Sequence, residues 1–317
     1  MNNVSDKYLA LSGGIGGAKL AFGLNCCLEK SQLTIVANTG DDFEHLGLLI
    51  SPDIDTLLYT LAGMNNSQLG WGRKDESWNF SEACEQFGLD TWFKLGDRDL
   101  AIHFYRSQRI KLGASLSQVV SELCDRLKIQ ATIIPMSDDP VRTVIKTDKG
   151  TLSFQEYFVK NRCLPIVSNI HFEGKESARP STALVDCLND EDLKAIIICP
   201  SNPFLSVQPI LSIPSLREKI KASGKPVIVI SPIVNGDSIK GPTAKLMREM
   251  NLNCNVKTIA EIYKDIATTI VIDKQDEAEA NEISSMGFDV MLENIVMAND
   301  EDKKNLAKAV IDFSGNL

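Results

Sequence analysis

The sequence predicts an α/β fold, a parallel β-sheet covered by helices on both faces. Three observations predict it. Five short runs, KYLALSGG, LTIVANTGDD, ATIIPMSDDP, AIIICPSNP and VIVISPIVNG, are apolar throughout and do not alternate, as strands buried on both faces must be. Each ends abruptly in Gly, Pro, Asn, Asp or Ser. Between the runs lie helical patterns, and strands alternating with helices give right-handed βαβ units and a doubly wound sheet.

The elements follow in order. The first run passes through four glycines into AKLAFGL, a strand-to-helix junction. Ser51-Pro52-Asp53 reads as a helix start with Pro at the first position. In LSQVVSELCDRLKI, Leu116, Val119, Val120, Leu123 and Leu127 recur at helix spacing. VRTVIKTDKGTLSFQEYFV breaks the alternation. It reads as two antiparallel strands joined by a turn at Asp148, Lys149 and Gly150. Residues 141–180 are therefore expected to form a small inserted α+β lobe, with 1–140 and 181–317 making the main domain. NLAKAVIDF is expected as a terminal amphipathic helix.

Composition narrows the function. A net charge of −9 over 317 residues with no basic cluster argues against nucleic acid as a partner. No run approaches the roughly 18 apolar residues of a membrane span, and the N-terminus lacks the apolar run of a leader. Eight cysteines without C-x-x-C spacing, mostly in apolar segments, read as buried free thiols of a reducing cytosol. The expected location is cytoplasmic.

Chemistry is expected beyond the carboxyl ends of the strands, where open parallel sheets bind ligands. Gly13, Gly14, Gly16 and Gly17 open a helix there and let the backbone approach a phosphate. The loop lacks the G-K-[ST] ending of a Walker A motif. Lys19 stands where a dinucleotide fingerprint has its third glycine, and Asn38-Thr39 ends the second strand where a dehydrogenase would place an acid. Four carboxylate pairs follow: Asp41-Asp42, Asp53 and Asp55, Asp97 and Asp99, and Asp138-Asp139. Each has a structural reading, since Asp53 and Asp55 complement a helix dipole, Asp97 caps the helix DRDLAIHFYRS, and Asp138-Asp139 makes a turn. Together, with no His/Cys cluster, they suit a hard cation such as Mg²⁺ shared with substrate phosphates. Lys94, Arg98, Arg106 and Lys240 are the candidate counter-charges. Asn202-Pro203 and Ser231-Pro232 put polar loops at two further strand ends.

These segments resemble a known family. LSGGIGGAKL, NTGDDFEHLGLLISPDIDTLLYTLAG, WFKLGDRDLAIH, PMSDDPV, FQEYFV, CPSNPFLSVQPIL and SPIVNGDSIKGPTAKLM are similar, in this order, to the 2-phospho-L-lactate transferases of coenzyme F420 biosynthesis. The resemblance implies a Rossmann-like three-layer domain with a small lobe, and a homodimer. It implies a Mg²⁺-dependent transfer of a phospho-three-carbon acid from a guanosine diphospho-linked donor to the ribityl hydroxyl of the deazaflavin Fo, with GMP leaving. Asp55 and Lys94 match the family's acceptor positions. The glycine loop, with Ser201 and Asn202, corresponds to the nucleotide (GDP) side. Asp55 and Asp42 are the expected metal ligands, with Asp53 behind them, and Asp55 is the expected catalytic carboxylate. The family commonly has Thr where Ile15 stands, which removes a hydroxyl from the loop. Phospholactate, phosphoenolpyruvate and phosphoglycerate all stay open as the acid. The alternative is a non-catalytic UDP-sugar-binding regulatory protein of a related group, which shares the glycine-rich opening. SPDIDT, FKLGDRD and FQEYFV favour the enzyme.

Overall fold

A computed structural model describes residues 6–66 and 72–315; the first five residues of the segment read as leaderless lie outside them. The first half of the main domain runs β1 (Lys7–Ser12), α1 (Gly14–Cys27), β2 (Leu33–Ala37), β3 (Phe43–His45), β4 (Leu48–Ile50), α2 (Pro52–Leu61), α3 (Asn79–Gln86), α4 (Asp99–Lys111), α5 (Leu116–Leu127) and β5 (Thr132–Pro135). The lobe contributes β6 (Arg142–Thr147), β7 (Gly150–Ser153) and β8 (Val167–Glu173). Then come α6 (Thr182–Leu188), β9 (Leu193–Ile198), α7 (Gln208–Leu211), α8 (Leu216–Ala222), β10 (Val227–Ile230), β11 (Ile233–Val234), β12 (Asp237–Ser238), α9 (Thr243–Glu249), α10 (Val256–Tyr263), β13 (Thr269–Asp273), α11 (Ala280–Ser285), β14 (Asp289–Glu293) and α12 (Asp300–Ser314).

The central sheet has seven strands in the order β14-β13-β10-β9-β1-β2-β5, and every pairing is parallel. All five predicted runs are in it. β13 and β14 extend it at one edge. Both faces are buried, and successive residues divide between two cores. Tyr8, Ala10, Ile35 and Ile197 face one core with helices α1, α2, α5 and α12. Leu9, Leu11, Val36 and Ile196 face the other with α6, α8, α10 and α11. That alternation explains the unbroken apolar runs, because neither face meets water. Among the described residues no helix is long and apolar enough to cross a membrane.

The strand order reverses between β1 and β9, the neighbours at the middle of the sheet. Connections leave in opposite directions there, and a crevice opens beyond the two carboxyl ends. β6, β7 and β8 form a separate antiparallel sheet in the order β7-β6-β8. The hairpin turns at Thr147–Gly150 as predicted, but the second strand is shorter than expected. It stops at Ser153, and Glu156–Lys160 make a helical turn. The Ser153 N–H and hydroxyl both donate to the Glu156 carboxylate, at 2.9 and 2.8 Å, a reciprocal cap that starts a helix.

Candidate functional site

A cavity of about 700 Å³ occupies the crevice. The first wall is the glycine loop. The Gly13 N–H donates to the Ser201 hydroxyl at 3.1 Å, joining the ends of β1 and β9. Gly14 has φ +64, where only glycine sits without strain. A Cβ on Gly16 would strike the Pro200 carbonyl, and one on Gly17 would lie 2.5 Å from the Ser12 and Ser201 hydroxyls. Close packing within the chain therefore already requires Gly16 and Gly17, so their glycine character is not by itself a mark of a ligand. Asn202 completes this wall. Its Oδ1 accepts from the Phe204 and Leu205 N–H groups at 2.9 and 3.0 Å, which leaves its buried Nδ2 without a partner among the described residues. A buried donor of that kind at a cavity wall awaits an acceptor.

The second wall holds carboxylates, with Asp41, Asp42, Asp53 and Asp55 each 7% exposed or less. Asp53 and Asp55 share the first turn of α2 and have opposite surroundings. Asp53 caps a different helix, accepting the Gly14 N–H of α1 at 2.6 Å and Asn38 Nδ2 at 2.9 Å. The same Nδ2 lies 3.3 Å from Asp41. The lobe also reaches Asp41, through Gln155 Nε2 at 3.4 Å. Asp42 lies behind the cavity, one oxygen accepting the Ser51 hydroxyl at 2.8 Å and the other buried with no partner. Ser51, at the N-cap position of α2, spends its hydroxyl there rather than on its helix. Burial pushes the carboxyl of Asp41 well above its usual range, aided by Asp53 and Asp42. It pushes Asp42 up to about 7 and Asp53 up to about 6, against opposing hydrogen bonds from Ser51, and from Asn38 and Gly14.

Asp55 is different. Both its oxygens receive the guanidinium of Arg106, whose own exposure is 0%. His103 Nδ1 lies 3.5 Å from Asp55 and its Nε2 3.3 Å from Asp99, which also accepts the Tyr59 hydroxyl. Asp55 belongs to a neutralised network, so here its oxygens are not free to take a metal or a proton.

Among the described residues no three His, Cys, Asp or Glu side chains are gathered as a ready ligand set. The donor chemistry nevertheless fits a hard cation at the Asp41–Asp53 end, where three buried carboxylates crowd with no direct ion pair among the described residues, Arg142 offsetting them only in part, and one oxygen of Asp42 is orphaned. The expected order of ligands, Asp55 and Asp42 before Asp53, does not match this placement. Asp41 and Asp53 line the cavity, Asp42 stands behind them, and Asp55 is committed to Arg106.

Aromatic rings make up another part of the lining. Trp92, Phe93, Phe154 and Phe158 line the cavity beside Lys94. Phe154 and Phe158 stack at 5.4 Å, and Phe43 meets Phe93 edge-on at 4.9 Å. Lys94 makes no ion pair among the described residues. Sequence reasoning assigned these aromatics no role, although WF directly precedes Lys94 and the two phenylalanines begin and end FQEYF. Arg142 and Arg162 were also missed. Arg142 lies close enough to Asp42 to oppose its rise in pKa, and Arg162 lines the cavity.

Other expected positions lie elsewhere. Asp97 caps α3 rather than α4, accepting from Phe80 N–H at 3.0 Å, Asn79 and Ser77, which holds its carboxyl down at about 2. Asp138 accepts the Ser117 N–H at 2.7 Å at the start of α5, and Asp139 the Arg179 N–H at 3.0 Å. Of the four acidic pairs, only Asp41, Asp53, Asp55 and Asp99 reach the cavity.

Known proteins share this chain's plan. The family model described as 2-phospho-L-lactate transferase CofD matches residues 9–311. A 2-phospho-L-lactate transferase of Methanocaldococcus jannaschii is 38% identical, over 97% of this chain and 98% of its own. One from Methanococcoides burtonii is 33% identical over 98% and 100%. A phosphoenolpyruvate transferase of Kitasatospora aureofaciens is 33% identical over 96% and 97%. Among solved structures, a UPF0052-family protein of Bacillus halodurans superposes with a TM-score of 0.64 at 14% identity, over 98% and 99%, a likeness of fold alone.

Proposed function

We propose, from the premise that the chain belongs to the 2-phospho-L-lactate transferase family, that it joins a phospho-three-carbon acid to the ribityl hydroxyl of Fo. The donor is a guanosine diphospho-linked acid. The ribityl oxygen bonds to the phosphorus that carries the acid, the bond from that phosphorus to the oxygen of GMP breaks, and the hydroxyl proton leaves. The observation that carries this reading is a single cavity lined by all three kinds of partner. A helix N-terminus and an unpartnered Asn202 amide stand at the switch point, buried carboxylates form another wall, and aromatic rings line it beside Lys94.

Each part has a task. The helix N-terminus and Asn202 hold the nucleotide side. The aromatic rings take the deazaflavin ring system, with Lys94 beside it. A bound Mg²⁺ supplies neutralisation of charge on the phosphoryl oxygens, and Asp41 and Asp53 are the residues that would hold it, with Asp42 behind. Held at the same place, Asp41 and Asp53 would orient the ribityl hydroxyl, whose proton passes to solvent. Asp55 acts as a positioning residue through Arg106. The reading includes a cytoplasmic homodimer.

Incubating the protein with Fo and each of the three GDP-linked acids tests the reading, with GMP followed by chromatography. GMP and a phosphodiester of Fo should appear in equal amounts with at least one donor, and chelator should stop both. Binding of UDP-N-acetylglucosamine with no GMP formed from any donor would favour the regulatory alternative.

A further inference from the structure

A side pocket of about 220 Å³ adjoins the main cavity and shares Ile15, Lys19, Thr56, Tyr59 and Lys240 with it. Three lysines line it: Lys19 from α1, Lys240 from the loop before α9, and Lys303 from the first turn of α12. Their counter-charge is incomplete. Lys303 pairs with the exposed Asp300 at 2.6 Å. Lys19 donates to the Met297 carbonyl at 2.6 Å and has only the more distant Asp302 as a counter-charge, and neither Lys19 nor Lys240 makes an ion pair among the described residues. Burial lowers the pKa of Lys19, and repulsion from Lys240 and Lys303 lowers it further. Three ammonium groups face two carboxylates, Asp300 on Lys303 and Asp302 toward Lys19, in a chain whose net charge is −9. Thr56, Thr60 and Asn65 supply neutral polar groups between them.

We propose that this side pocket is an oxyanion subsite, which takes a phosphate or carboxylate group of the ligand lying in the main cavity. The pocket has room for such a group, and its polar lining selects for charge. Three convergent ammoniums favour an anion over a neutral group. The choice of ligand rests on the function proposed above, whose donor carries oxyanions in two places, the diphosphate and the carboxylate of the acid.

Calorimetric titration of the intact protein with GDP, 2-phosphoglycerate and inorganic phosphate, at low and moderate salt, tests the subsite. Lys240→Gln and Lys303→Gln are the variants; Lys240 is exposed and makes no ion pair among the described residues, and because Lys303 also lies over the Phe22 ring at 4.9 Å its variant is read beside a thermal melt. Each should weaken binding by about fivefold at low salt, less at higher salt. A loss for GDP identifies the diphosphate as the occupant, and a loss for 2-phosphoglycerate alone identifies the acid. If the parent binds GDP and both variants bind all three probes as the parent does, the subsite is overturned and the transferase reading stands. If phosphate and 2-phosphoglycerate bind and weaken in the variants while GDP never binds, the subsite stands and the guanosine donor falls. If the parent binds none of the three, both fall.

Discussion

Asp53 and Asp55 stand two residues apart in one helical turn, both buried, and share almost nothing else. Asp55 points at a guanidinium delivered from α4, 51 positions away. Asp53 points at a backbone N–H of α1 and an asparagine, with Asp41 close by. One carboxylate is neutralised by a full charge and the other only by dipoles. Burial costs a charged group heavily unless it is paired. The first arrangement therefore holds structure together, whereas the second stores repulsion that a cation would relieve.

Breaking the paired side should have the largest effect. Asp55→Asn takes from the buried Arg106 its direct carboxylate partner and should cost about 3–5 kcal/mol of stability, seen as a lower denaturant midpoint. Adding Arg106→Met should restore much of that loss. A stable single variant that only slows turnover would return Asp55 to the chemistry. Gly16→Val comes next. A side chain there strikes the Pro200 carbonyl, so overpacking should cost about 1–3 kcal/mol. A variant of unchanged stability that has lost GDP binding would instead mark the loop as a pure ligand cradle.

The unpaired side should respond in the opposite sense. The folded carboxyls of Asp42 and Asp53 lose their protons at about 7 and about 6, against about 3.9 in an unfolded chain. Between those values the folded chain binds more protons. The stability these groups contribute is full below about pH 4 and is lost as pH rises through about 7. Asp53→Asn should flatten that decline and raise stability at pH 8 by about 1–2 kcal/mol, measured by urea unfolding at pH 5 and pH 8. A steeper decline in the variant would show that Asp53 is stabilised as an anion. Lys94→Ala should do least to the fold, within about 0.5 kcal/mol, while raising the Fo concentration needed by about tenfold. An unchanged Fo requirement would move the acceptor away from Lys94.

The same contrast shows what the sequence could reveal. Apolar runs such as AIIIC and VIVI disclosed the sheet because burial on both faces leaves no polar positions. The S-P-D-x-D start of α2 was legible because Pro and acids at a helix start act locally. Partners across the chain were not. Arg106 was recognisable as a counter-charge, but nothing nearby said that it meets Asp55 rather than a phosphate. Asp97 was assigned to α4, the helix it precedes, yet its acceptors face the N–H groups of α3, 17 and 18 residues earlier. Trp92 and Phe158 lie 66 positions apart, and nothing local showed that both rings line one cavity.

The most direct test of the contrast is Mg²⁺ binding by calorimetry at pH 8, in the absence of substrates, on the parent, Asp53→Asn and the Asp55→Asn/Arg106→Met pair. The account predicts that the parent binds one ion and is stabilised by it, that Asp53→Asn loses this binding, and that the double variant keeps it. Retention by Asp53→Asn together with loss in the double variant would contradict it.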